Sequence, residues 1–224
     1  FTKVVDSGEV AKLPLARVFK TSWRPLILGT FIMLATYTLF YLMTTFTLTF
    51  GTAAKDADVA GLGYTRPEFL VMLIIGVVFF GIFTLVSGPL AERFGRRAML
   101  LVVTAGIIAF GFLFVPLLGG GGVGVMAMLI LGFTLMGLTF GPMAAVLPEL
   151  FPTNVRYTGS AISYNLASIL GAAVAPFIAV ALWTAGGGSP FLVGVYLAAM
   201  GAITFVALLI SRETRDVDYS GNVA

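Results

Sequence analysis

An all-α membrane protein of six transmembrane helices is the fold class this sequence predicts, and three observations predict it. Of its 224 residues, 59% are hydrophobic and 10% are charged, and the mean hydropathy is +1.05. A soluble domain draws about a quarter of its residues from Asp, Glu, Lys and Arg. A chain this poor in charge cannot coat itself for water, so lipid must be its solvent. Second, six apolar runs are each long enough, as helix, to cross a hydrocarbon core about 30 Å thick. Third, the basic residues gather in alternate separators between those runs.

The runs are 25–50, 69–90, 98–118, 123–147, 158–185 and 190–210. Their separators are polar, charged or glycine-rich, and no run carries the charged face that a helix of a soluble bundle would need. Residues 1–24 read as a linker, 25–210 as the six-helix bundle and 211–224 as a tail. Within the linker, 13–23 has the pattern of a short amphipathic helix. Pro14 suits its first turn, and Leu15, Val18 and Phe19 share a face flanked by Arg17 and Lys20. Such a segment is expected to lie on lipid headgroups, the alternative being a simple charged linker. The chain begins at Phe1 without Met or an apolar leader, which suggests a piece of a longer polypeptide.

Six spans put both ends of the chain on one side. That side holds Lys3, Lys12, Arg17, Lys20, Arg24, Arg93, Arg96, Arg97, Arg156, Arg212 and Arg215, and the other holds Lys55 and Arg66. Basic residues are retained on the cytoplasmic face during insertion, so both termini are expected to be cytoplasmic. Trp23 and Trp183 then fall near opposite interfaces.

Composition also excludes chemistry. The chain has no Cys and no His, which removes disulfides, Cys or His metal sites, cysteine nucleophiles and Ser-His-Asp triads. No metal, cofactor or catalytic residue is expected, and a net charge of +3 makes no case for nucleic acid. None of the 10 acidic residues falls in the middle of a span. Intramembrane acids mark proton relays, so any coupling group is expected on a partner.

Polar residues inside the spans are the candidate solute contacts. Tyr37, Tyr41 and Thr44 recur at helical spacing in the first span, with Thr45 beside them. Tyr164, Asn165 and Ser168 cluster within about a turn of the fifth, and Asn165 is the single amide inside any span. An unpartnered amide in hydrocarbon costs several kcal/mol, so it should face protein, water or ligand. The competing reading is polar glue between helices. Thr134 and Thr139 are weaker candidates. Gly137 and Gly141 before Pro142, and Gly171 before Pro176, suit close helix approach. The glycine run 119–122 lacks the following Lys and Ser or Thr of a phosphate loop.

Two charged loops carry a family resemblance. Residues 88–97 read GPLAERFGRR, and 148–156 read PELFPTNVR. The first resembles the Gly-x-Leu-Ala-Asp-Arg-x-Gly-Arg-Arg signature of major facilitator superfamily transporters, with Glu92 in place of Asp. The second resembles the Pro-Glu-x-Phe-Pro-x-x-x-Arg pattern of the sugar porters and metabolite:proton symporters. Its continuation through Arg156, Thr158, Gly159, Tyr164 and Asn165 is most similar to the latter subgroup. The resemblance implies the C-terminal six helices of a major facilitator fold, a 3+3 inverted repeat, in a plasma (inner) membrane. It implies proton-coupled uptake of a small polar metabolite, such as an organic acid or zwitterion, by alternating access, with the absent six helices as partner. It further implies a cytoplasmic gate of Glu92, Arg93, Arg96, Arg97, Glu149 and Arg156, in which Glu92 can pair with Arg93 or Arg96, and Glu149 and Arg156 with charges of the first loop. A homodimer of such halves and a non-transporting scaffold or sensor are the alternatives.

Overall fold

The computed structural model describes residues 14–211. A short helix, α1 (Pro14–Thr21), precedes six spanning helices. These are α2 (Trp23–Thr52), α3 (Arg66–Phe94), α4 (Arg96–Leu118), α5 (Gly121–Glu149), α6 (Arg156–Ala185) and α7 (Phe191–Ile210). Lys3, Lys12, Arg212 and Arg215 lie outside the described residues.

Most of the helices outrun the apolar stretches that predict them, because the charged residues at their ends are themselves helical. The link between α3 and α4 is the extreme case. Where a loop is expected at 91–97, Gly95 is the single residue between the two helices. Its φ of 91° is open to glycine and strained for other residues. Gly88, the other glycine expected to turn the chain, lies inside α3. At the opposite end, α3 opens on a capping box: the Thr65 amide donates to Glu68 Oε2 at 2.9 Å, and Thr65 Oγ1 accepts from the Glu68 amide.

The five most extensive helix contacts are α3 with α5, α4 with α7, α4 with α5, α2 with α7, and α2 with α6. Exchanging the first three spans for the last three turns α3–α5 into α6–α2 and α4–α5 into α7–α2. The α4–α7 contact maps onto itself. This is the contact pattern of a 3+3 inverted repeat.

Lipid tails are as apolar as leucine, so close approach and hydrogen bonds hold such helices together more than hydrophobic burial does. At the α4–α7 crossing, a Cβ on either Gly111 or Gly194 would overlap the carbonyl oxygen of the other. Gly137 and Gly141 bring α5 against α3 at Phe80, Thr84 and Ser87. The central helix α2 is held from both sides by hydroxyls. Ser163 of α6 donates to the Leu26 carbonyl at 3.1 Å, and Thr204 of α7 donates to the Phe31 carbonyl at 2.7 Å while accepting from the Ala35 amide.

The side of the bundle bearing Trp183 is closed by protein. Residues 53–65 fold back on α2, with the amides of Leu62 and Tyr64 donating to the carbonyls of Phe50 and Gly51. The Trp183 indole N–H donates to the carbonyls of Ala60 and Gly188, and its ring packs edge-on against Phe46 and Phe50. On the other side, α1 is partly protein-bound. Val18 is buried against Leu26, Phe151 and Val155, while Phe19 and Lys20 are exposed. The face expected to rest on headgroups is therefore divided between the bundle and the surface.

Candidate functional site

Some of the polar residues of the spans line one groove. Between α2, α5 and α6 lies an open groove of about 270 Å³, with Met33, Met143 and Phe140 on two walls and Tyr157, Ser160 and Tyr164 on the third. The α6 wall is rich in polar groups: of the 13 residues from Arg156 to Ser168, RYTGSAISYNLAS, eight are polar or aromatic-polar. Tyr157 and Tyr164 are 87% and 45% exposed. An exposed polar strip inside a span cannot face hydrocarbon at low cost, so it marks a surface that meets water or another protein.

Tyr37 backs this wall. Its ring lies edge-on to that of Tyr164, centroids 5.4 Å apart, and its hydroxyl is buried. The close approach depends on Gly171, where a Cβ would come within 2.8 Å of Tyr37 Cβ and 3.0 Å of the Leu34 carbonyl. Both helices widen into a π-helical turn near here, at Leu42–Phe46 in α2 and Ile169–Ala173 in α6. Such turns recur at functional sites because they shift the register of a helix face.

The structure does not bring all six candidate contacts together. Tyr37 meets Tyr164, and Tyr164 lines the groove. Tyr41 instead packs edge-on to Phe40 at 5.1 Å, and Thr44 Oγ1 donates to the Phe40 carbonyl at 2.8 Å. The wide turn beginning at Leu42 interrupts the regular spacing that would put Thr44 in line with both tyrosines. Asn165 is exposed, donates to the Ala161 carbonyl of its own helix at 2.8 Å, and lines an adjoining depression with Thr158 and Ile162 that shares Tyr157 with the groove. Ser168 is half-buried one turn beyond. Sequence reasoning missed Met33, Phe140 and Met143, whose apolar side chains carry no signal, and Tyr157 and Ser160. The last two were legible, since 157, 160 and 164 share one helical face.

At the end of the bundle bearing the signature loops, the charges brace helices. Arg96 pairs with Glu149, joining the start of α4 to the end of α5. Arg97 donates from Nε and Nη2 to the carbonyls of Leu208 and Leu209 at 2.8 and 2.7 Å, capping the last turn of α7. Arg156 Nε donates to the Phe151 carbonyl at 3.3 Å, and the Arg93 guanidinium lies 5.4 Å from the centroid of the Phe94 ring. Of the pairings expected of these loops, the structure forms that of Arg96 with Glu149. Helix α3 runs unbroken through Glu92, which is exposed, and Gly95 redirects Arg96 toward α5.

Two inverted triplets of spanning helices with a polar groove on an open face define one six-helix half of a major facilitator fold, and with it an integral membrane protein of the transporter class. The chain belongs to the family described as "Sugar (and other) transporter", whose model matches residues 6–214. It is 54% identical to an inner membrane metabolite transport protein of Escherichia coli K12, over 96% of this chain and 48% of that protein. It is 44% identical to a putative metabolite transport protein of Haemophilus influenzae, over 97% of this chain and 50% of the relative. A citrate-proton symporter of Salmonella typhi is 29% identical over 87% of this chain and 44% of its own length. The chain thus spans about half the length of the curated relatives it matches. No solved structure matches it.

Proposed function

We propose that this chain forms one wall of the solute path of an inner-membrane secondary transporter, which takes up a small polar metabolite, an organic acid or a zwitterion, together with protons. The observation that carries the proposal is the groove between α2, α5 and α6, with Tyr164 at its mouth and Tyr37 packed edge-on behind it. A second six-helix bundle closes the path from the opposite side, and the two rock about the solute by alternating access. The citrate-proton symporter among the relatives supports proton coupling and an acidic solute. Among the described residues no acid lies in the middle of a span, so the proton-carrying group belongs to the other bundle.

Both termini are cytoplasmic, which puts the braced charges at the inner mouth. There Arg93 and Glu92, on the exposed last turn of α3, meet the other bundle when the inner side closes, while Arg96, Arg97, Glu149 and Arg156 hold the helix ends that carry them. Single exposed pairs are worth about 0–1 kcal/mol, enough to bias a near-balanced equilibrium without locking it.

Uptake of labelled citrate and a panel of organic acids and zwitterions into cells producing the full-length transporter tests this reading. Tyr164→Ala is expected to raise KM about tenfold, the equivalent of about 1.4 kcal/mol, at an unchanged amount of protein in the membrane. Unaltered uptake in that variant would remove the groove from the solute path.

A further inference from the structure

On the side of α2 away from the solute groove the structure carries a second constellation. Ile27 and Phe31 form a ridge, and an apolar furrow runs along each flank. Toward α7 the furrow measures about 420 Å³ and is completed by Ile203, Val206 and Ile210. Toward α6 it measures about 180 Å³ and is completed by Leu166, Ile169 and Leu170. These α6 residues lie on the opposite side of that helix from Tyr157, Ser160 and Tyr164, at 100° per residue, so the furrow looks away from the solute groove.

The lining is dry. Its hydroxyl, that of Thr30, donates to the Leu26 carbonyl at 2.8 Å and presents nothing further to bond. One turn above the ridge, on the same helical stripe, sits Arg24. It is exposed and its guanidinium lies 5.3 Å from the centroid of the Trp23 ring, which is itself 50% exposed, at the height where indoles mark the headgroup layer. Lys20 is exposed one turn earlier, on α1. Among the described residues, no carboxylate lies on α1, α2, α6 or α7. The carbonyl end of α7, whose partial negative charge would repel a phosphate, is covered by Arg97.

Two furrows sharing one ridge and one cation match the outline of a molecule with two chains and one anionic head. We propose that this ridge seats a single anionic diacyl phospholipid, one acyl chain in each furrow and the phosphate at Arg24. Basic pockets between spanning helices are the recognised setting for such headgroups, and one cation there favours an anionic lipid over a neutral one roughly fivefold. The bound lipid straddles α2, the helix that Ser163 and Thr204 hold from either side at this same level, so it packs on the helix that carries Tyr37.

Native mass spectrometry of the full-length transporter in detergent, titrated with dioleoyl phosphatidylglycerol or dioleoyl phosphatidylcholine, tests the proposal. One phosphatidylglycerol is expected to be retained about fivefold more tightly than phosphatidylcholine. Arg24→Gln should abolish that preference while leaving neutral-lipid binding intact, and Ala202→Trp, which fills the larger furrow, should weaken both. Lys55→Gln, on the opposite side of the membrane, should change neither. Equal retention of the two lipids by the unaltered protein, an undiminished preference in Arg24→Gln, or displacement of phosphatidylglycerol by glycerol phosphate lacking acyl chains would each overturn it.

Discussion

Helices α3 and α6 occupy equivalent places in the inverted repeat, and they are the two least buried spans, yet they are built of different material. Between its charged ends the exposed face of α3 is aliphatic, with Val71, Ile74, Val78, Ile82 and Leu85 outward. The exposed side chains of α6 include Tyr157, Tyr164 and Asn165 in its first half and are mainly apolar from Leu166 onward. Exposure alone therefore says little about function in a membrane bundle, since lipid covers an aliphatic face at no cost. Polar exposure at a position whose symmetry mate is greasy is the informative signal, because hydrocarbon would penalise it.

The largest effect is expected where each helix docks. Gly171→Leu forces α6 from α2 at Tyr37, and Gly141→Leu forces α5 from α3 at Ser87. Overpacking of this kind costs about 1–3 kcal/mol, read as a lower midpoint of thermal unfolding in detergent. Both variants should lose stability, but the Gly171 variant should also lose uptake by its surviving fraction. If both lose uptake only in proportion to folded protein, Tyr37 has no part in the solute path.

Reciprocal polar exchange separates the two faces next. Val78→Asn puts an amide on the aliphatic face of α3 and should cost about 1–3 kcal/mol, measured as reduced folded yield. Asn165→Val on α6 should leave folded yield unchanged. Equal sensitivity at the two positions would erase the distinction between the helices.

A smaller effect is expected at the charged end. Arg96→Glu combined with Glu149→Arg should retain more uptake than either single change, with a coupling of about 0.5 kcal/mol or more. Additive losses would mean that the pair does not act as one. Smaller still, Ser163→Ala and Thr204→Ala should each lower stability by about 0.6 kcal/mol, the usual size of a hydrogen bond between spanning helices.

The architecture was readable because hydropathy and charge are one-dimensional properties. Six greasy runs separated by charges leave one solution in lipid, and the patterns at 88–97 and 148–156 together, at their spacing among the six spans, point to the family. Helix ends were less readable, since Glu92, Arg96 and Glu149 look like loop residues until the single-glycine link at Gly95 is seen. The site was readable only in part. Tyr37 and Tyr164 were each nameable, but their contact joins helices far apart in sequence and depends on Gly171. The π-helical turn at Leu42 that takes Thr44 out of line leaves no mark in composition. The preference of Arg96 for Glu149 over a neighbour four residues away is likewise a matter of three-dimensional packing.

The absence of cysteine from this chain makes the central claim directly measurable. Single cysteines are placed at Ser160 on α6 and at Val78 on α3 in an otherwise cysteine-free full-length transporter, and treated in membranes with a water-soluble maleimide. The account predicts labelling at position 160, slowed by the transported solute, and no labelling at 78. Labelling at 78 with none at 160 would contradict it, and would place the aqueous path on the other flank of the bundle.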